Sequence, residues 1–194
     1  MAEGMKKRII VAATGASGQP ILIKCLQLIR SAPEYSAGLI MSSAAALTLT
    51  QETDLSPAQV EALADEVYTP QEIGAGPASG SFKTCGMLIV PCSMKTVAGI
   101  ASGYAENLIL RAADVTIKEQ RPLVLAARES PLSAVHLRNL HELSQIPGVH
   151  VIPPMMTFYT RPESIDDMVY HIAAKLVEPF GIEAPEYRRW KGME

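Results

Sequence analysis

Arg8-Ile9-Ile10-Val11-Ala12-Ala13-Thr14-Gly15-Ala16-Ser17-Gly18, followed at once by an apolar run from Gln19-Pro20-Ile21, decides how this chain folds. A short β-branched strand empties into a turn of small residues, and a helix starts directly behind it. That order aims backbone N–H groups and the positive helix end at one point, which suits a phosphate. The Ser17 hydroxyl either caps the helix or donates to a phosphate oxygen. The stretch is neither Gly-x-Gly-x-x-Gly nor a P-loop, because no Gly-Lys-Ser/Thr follows. By itself it admits two readings, a phosphate cradle or a tight corner that needs small residues.

Outward from this stretch the same alternation repeats. Residues 19–30 read as a helix apolar on nearly every side, with Pro20 in the first turn, where a missing N–H costs nothing. Residues 38–42 form a second strand and 44–50 a helix, and Ser56-Pro57 opens another. Residues 72–83, rich in Gly, Pro, Ala and Ser, read as a flexible loop beside a site. A continuous apolar strand at 87–92 has the character of a central parallel strand. A helix at 105–118, a strand at 123–127, a helix at 132–145 and a short strand at 150–152 follow. Ser164-Ile165-Asp166-Asp167 resembles a capping box, and Ile165, Met168, Val169, Ile172 and Leu176 give the last helix a core stripe. The chain thus predicts one α/β domain over 1–194, three layers (αβα) around a mostly parallel sheet, Rossmann-like or flavodoxin-like. Residues 1–5 read as a disordered lead-in and 180–194 as a tail that docks on a neighbouring subunit.

Composition narrows the function classes. The 194 residues allow one domain with a substantial core. At 48% hydrophobic and 19% charged, the chain is built for burial, including at subunit interfaces. No apolar run reaches the roughly 18–20 residues that span a bilayer, and no secretory segment opens the chain, so no membrane role is expected. A net charge of −3 gives no footprint for nucleic acid. Cys25, Cys85 and Cys92, odd in number and without paired spacing, point to a reduced cytoplasmic interior. The four histidines are scattered, so no metal site is expected.

In a parallel sheet, ligands bind beyond the carboxyl ends of the strands. This chain delivers Thr14 to Gly18 there from the first strand, and Ser42 and Ser43 from the second. The third brings Ser93-Met94-Lys95-Thr96 and the fourth Arg128-Glu129. Hydroxyls, a lysine and an arginine fit an anionic ligand, and Glu129 adds a proton donor; two readings follow, a ring-sized crevice such as FMN needs or a merely polar rim, and the first is favoured. Several residues keep a plainer reading. Cys92 is a nucleophile or a small buried hydrophobe. Arg111 and Lys118 share a helix stripe and either clamp a phosphate or form a charge ladder with Asp114, which periodicity favours. Lys175, at the border of an apolar stripe, reads as a snorkelling surface lysine, Tyr159, after two prolines, as packing, Glu52, at a helix end, as solvated, and Trp190, near the terminus in Arg188-Arg189-Trp190-Lys191, as docked against something.

Taken together, the pieces carry a resemblance. Thr14-Gly15-Ala16-Ser17-Gly18, Glu52-Thr53-Asp54, Ser79-Gly80-Ser81, Pro91-Cys92-Ser93-Met94-Lys95-Thr96, Arg111-Ala112-Ala113-Asp114-Val115, Lys118-Glu119-Gln120-Arg121-Pro122, Arg128-Glu129 and Phe158-Tyr159 occur in the order found in UbiX-like flavin prenyltransferases. The chain is most similar to the branch that accompanies phenolic-acid decarboxylases, whose members were formerly described as decarboxylase subunits themselves. The resemblance implies a metal-independent reaction in which the dimethylallyl group of dimethylallyl phosphate is transferred to N5 of reduced FMN. Closure at C6 then gives prenylated FMN for a UbiD-like decarboxylase. It further implies that Gly15, Ala16, Ser17, Ser42, Ser93, Met94, Lys95, Thr96 and Arg128 hold FMN. Tyr159 and Lys175 would hold the allyl phosphate, with Arg111 and Lys118 as further members of the clamp. Glu129 would protonate the departing phosphate, and Ser17 and Glu52 would border the reacting flavin edge. Trp190 would close over the site from a neighbouring subunit of a dodecamer.

Three departures from the family pattern stand out. Ser43 replaces a frequent Lys, Gln19-Pro20-Ile21 replaces the usual Ala-x-Tyr-Gly, and Lys175 replaces a frequent Arg, giving up bidentate phosphate contact. A non-catalytic FMN carrier for a partner decarboxylase is the alternative. A flavin-dependent cysteine decarboxylase is a third class, but it uses a histidine after the first helix, and none occurs here before His136.

Overall fold

The computed structural model describes residues 6–192, so the proposed lead-in at 1–5 lies outside the described residues. Six parallel strands, β1 (Lys7–Ala13), β2 (Tyr35–Met41), β3 (Glu66–Tyr68), β4 (Gly86–Cys92), β5 (Leu123–Ala127) and β6 (Val149–Val151), form one sheet in the order β3-β2-β1-β4-β5-β6. Every adjacent pair is parallel, so the mostly parallel expectation sharpens to a fully parallel sheet. The order reverses between β1 and β4, which makes the carboxyl ends of these two strands the switch point of the sheet.

Side chains alternate along each strand and sort the helices into two layers. Ile9, Val11, Leu88 and Val90 face the layer of α1 (Gln19–Ser31), α2 (Ser43–Glu52), α3 (Pro57–Glu61) and α7 (Ile165–Val177). Ile10, Ala12, Met87 and Ile89 face α4 (Met94–Ala101), α5 (Leu108–Lys118) and α6 (Ala134–Ser144). Caps fix where the helices begin. Ser56 with Gln59, and Ser164 with Asp167, close full capping boxes, the second as its sequence predicts.

Four details differ from the expectation. The segment read as one helix at 105–118 is preceded by a separate helix, α4, and Asn107 caps α5. The short edge strand β3 has no counterpart in the sequence reading. Ile165 is 80% exposed, because as the first residue of α7 it precedes the turn at which the stripe reaches the core. The 72–83 loop, read as flexible, is tied down by two arginines. Arg121 donates to the carbonyls of Gly80 (2.7 Å) and Phe82 (2.9 Å), and Arg111 to that of Ala78 (3.2 Å).

Both α5 and α7 run back toward the amino ends of the strands. The Tyr35 hydroxyl, at the start of β2, donates to the carbonyl of Phe180, just past α7 (2.9 Å). At Gly86, the first residue of β4, a Cβ would meet the Pro122 carbonyl at 2.4 Å and the Phe180 ring at 2.8 Å.

Candidate active site

Thr14 is the staple of the switch point. Its hydroxyl donates to the Pro91 carbonyl (3.0 Å) and accepts from the Ser93 amide (2.8 Å), so β1 and β4 end in register. It is buried and fully used, which makes it scaffold. Gly15 follows because nothing larger fits: a Cβ there would lie 2.6 Å from the Cβ of Ala44 on α2. Gln19, one of the departures, is buried and braces the loop from within, its amide donating to the carbonyls of Thr14 (3.4 Å) and Ala16 (3.3 Å). Gly15 and Ser17 stay exposed on the outer side of this turn.

The α1 amides are not available as the opening stretch implied. One oxygen of the Glu52 carboxylate accepts from both the Gly18 amide (2.9 Å) and the Gln19 amide (2.8 Å). The positive end of α1 is already matched by an internal anion. This places Glu52, read as solvated or as a flavin-edge residue, beside Ser17 at the end of β1.

Two other helices open at the same rim. Ser42 caps α2 by accepting from the Ala45 amide (3.1 Å), and Ser93 caps α4 by accepting from the Thr96 amide (3.4 Å). The leading amides of both helices, those of Ser43 and Ala44 and of Met94 and Lys95, have no intrahelical acceptor by construction, which leaves them suited to an anion. Met94 and Thr96 are buried, and the Thr96 hydroxyl lies 3.1 Å from that of Ser93. Their contribution to a ligand is therefore through the backbone, whereas the Lys95 side chain is exposed. Arg128 continues β5, its amide donating to the Cys92 carbonyl (3.1 Å). Glu129 beside it is exposed and accepts from the Ser130 amide (3.0 Å). The glycine turn, two helix starts, two cations and two carboxylates fit a flavin mononucleotide: a close-approach turn for the ring and amides with lysine and arginine for its phosphate. Cys92 is fully buried, and burial pushes its thiol up to about 12, so the small-hydrophobe reading holds.

The residues that the resemblance assigns to the donor lie apart from this rim within one chain. Tyr159, Lys175 and Trp190 gather on the outer side of α7. Trp190 packs edge-on against Tyr159, ring centroids 5.3 Å apart, and His171 meets Tyr159 at 6.0 Å and Tyr187 at 4.8 Å. The Lys175 ammonium lies 2.5 Å from one oxygen of Glu178, and Arg189 pairs with the other. Hydrogen bonds from Lys175 and Arg189 hold the Glu178 carboxyl below its ordinary value, and the bond to Glu178 raises Lys175. Glu178 and Arg189 escape a reading of the sequence, although the spacing of Lys175 and Glu178 on one helical turn is there to find.

Arg111 and Lys118 lie on α5, against the opposite face of the sheet, with Lys118 at the amino end of β5. The charge ladder is half right. Arg111 pairs with Asp114 (2.7 Å), but Lys118 turns to Glu119 (3.1 Å). One chain therefore carries three separate groups of candidate residues, the strand-end rim, the α7 patch and the α5 pair.

The sequence profile of the Flavoprotein family matches residues 2–177. A probable UbiX-like flavin prenyltransferase of Streptomyces sp. (strain D7) is 50% identical over 186 residues, covering 96% of this chain and 92% of the relative. The chain belongs to the UbiX-like flavin prenyltransferase family. Solved members of the family share its fold closely. A dodecameric FMN-dependent UbiX-like decarboxylase from Escherichia coli O157:H7 superposes with a TM-score of 0.93 at 48% identity, covering 95% of this chain and 100% of that one. AnUbiX (PadA1), in complex with FMN and dimethylallyl pyrophosphate, gives 0.94 at 43% identity, covering 97% and 100%.

Proposed function

We propose that this protein is a cytoplasmic flavin prenyltransferase that moves a dimethylallyl group from dimethylallyl phosphate to reduced FMN, and that the prenylated FMN serves a UbiD-like decarboxylase. The observation that carries this reading is the rim at the sheet's switch point, where Ser17, Glu52, Lys95, Arg128 and Glu129 surround a turn that only glycine permits. Family membership supplies the reaction; the rim supplies residues that suit it. Among the described residues no helix is long and apolar enough to cross a membrane, and the three cysteines are free.

Bound in its reduced form, the flavin supplies an electron-rich ring that accepts the allyl carbon. The chain does the rest. The leading amides of α2 and α4, with Lys95 and Arg128, would anchor the flavin phosphate, and the Gly15–Ser17 turn would border its ring. Glu129, exposed next to Arg128, gives its proton to the departing phosphate oxygen. Ser17 and Glu52 handle protons at the reacting edge. Tyr159 and Lys175, with Trp190 as a cover, hold the donor phosphate. Because they gather around α7 and not at the rim of their own chain, the donor patch of one subunit meets the rim of another in a homo-oligomer; a relative of the same fold is dodecameric. Lys118, at the far end of α5, joins the site from a further copy by the same logic, and the tail, held on α7 of its own chain, carries Trp190 to the rim of a neighbouring subunit.

The test separates the enzyme from a carrier. The protein is incubated anaerobically with reduced FMN and dimethylallyl phosphate, then removed by filtration, and the filtrate is added to a UbiD-like decarboxylase lacking its cofactor. Activation that requires the donor is expected, and its loss in Glu129→Gln. Activation that needs the protein left in the mixture but not the donor, and that is unchanged in Glu129→Gln, would establish the carrier.

A further inference from the structure

The α7 patch contains an anion that no part of the proposed reaction uses. Glu178 sits between two cations, with one carboxylate oxygen on Lys175 (2.5 Å) and the other on the Arg189 guanidinium. The guanidinium also lies 5.0 Å from the centre of the Tyr187 ring, which fixes its position from the other side. The next residue, Trp190, packs on Tyr159. Tyr159 and Lys175, assigned to the donor phosphate, are thus joined into one surface by Arg189, Trp190 and Glu178.

Two cations converging on one carboxylate form the arrangement a phosphate monoester requires. The phosphate offers more oxygens and more charge than the carboxylate, and it takes a guanidinium through two parallel bonds. A lysine at position 175 cannot supply that fork, and the arginine at 189 can. We propose that Arg189 is a donor-binding residue that acts with Lys175 on the allyl phosphate, and that Glu178 is the internal anion which holds the two cations in register and competes with the donor for them. This rests on the prenyltransferase reading above. It assigns the phosphate contact to a residue of the tail and gives the tail a role beyond packing.

The proposal is tested by the sign of two substitutions. Arg189→Gln should raise the KM for dimethylallyl phosphate about tenfold, the cost of one charge-assisted contact, with the Kd for FMN unchanged. Arg189→Lys should recover part of that loss. Glu178→Gln removes the competing anion and should lower the same KM by about threefold. Inorganic phosphate, titrated by calorimetry into the full-length protein, should follow the same order: weaker in Arg189→Gln, tighter in Glu178→Gln. If Arg189 and Glu178 were only a strut for the tail, both substitutions would break the same pair and move the KM upward together. That result, or an unchanged KM in Arg189→Gln, or a KM at or above wild type in Glu178→Gln, overturns the proposal. If the wild type leaves FMN unalkylated, the prenyltransferase reading falls by itself, and the phosphate titrations still decide whether Lys175 and Arg189 form an anion site.

Discussion

Glu52 shows how a single side chain redirects the reading of a motif. The small-residue turn and helix start at Thr14 to Gly18 have the form of a phosphate cradle, and in this chain the amides at its centre are held by a carboxylate from the end of α2. A charged cap of this kind contributes about 1 kcal/mol, and replacing it with a neutral oxygen forfeits most of that. Glu52→Gln, freed of flavin, should therefore melt about 3 °C below wild type in a calorimetric scan. An unchanged melting temperature would show that the carboxylate does not stabilise α1. The partnership is not legible in the sequence, because the cap comes from more than thirty residues away and no local spacing announces it. Gln19 is similar. In the sequence it is only a departure from the family pattern, whereas in the fold its side chain braces the turn from inside.

The elements are easier to read where burial is continuous. The apolar run at 123–127 gives that strand its observed bounds, and the run at 87–92 comes within one residue, since both are apolar on every position. The failures have physical causes. β3 is three residues long on a sheet edge and alternates too briefly to register. α4 begins at the strand end itself, so Met94-Lys95-Thr96 has the look of a polar exit although it is a first turn. The tail against α7 is an element of another sort, held by aromatic contacts around His171 and by the Glu186 amide donating to the Tyr170 hydroxyl (3.1 Å). Burial lowers His171 from its ordinary 6.5, so the docked tail prefers the neutral ring. Undocked, the imidazole binds its proton first as the pH falls through 6.5. Docking is therefore at full strength above that value and weakens below it, toward the lowered pKa of the docked form. Trp190 is the only tryptophan, so its emission should report this transition below pH 6.5, and His171→Gln should abolish it. A profile flat in the wild type would contradict the account of the tail.

For the whole molecule, the consequence is that one chain holds the parts of a site without assembling them. Large apolar side chains remain exposed on the 155–159 segment (Met155, Met156, Phe158) and on α6 (Val135, Leu137), a pattern that marks surfaces for other copies. The sequence offers candidates for the chemistry, through their types and order. It does not show that they lie on different faces, because that follows from the direction of α5 and α7 and not from any local pattern. Co-expression of Glu129→Gln with Lys175→Ala chains should restore activity that neither has alone. If rim and patch come from different subunits and mix at random, about a quarter of sites regain both intact parts. No recovery would place both residues in one chain's site.

The chemistry itself is decided by the mass of the flavin. Reduced FMN, dimethylallyl phosphate and the wild-type protein are combined without oxygen, and the flavin is released and measured by mass spectrometry. The account predicts a new flavin heavier by one dimethylallyl group, formed only when donor and protein are both present; unmodified FMN under the same conditions would contradict it.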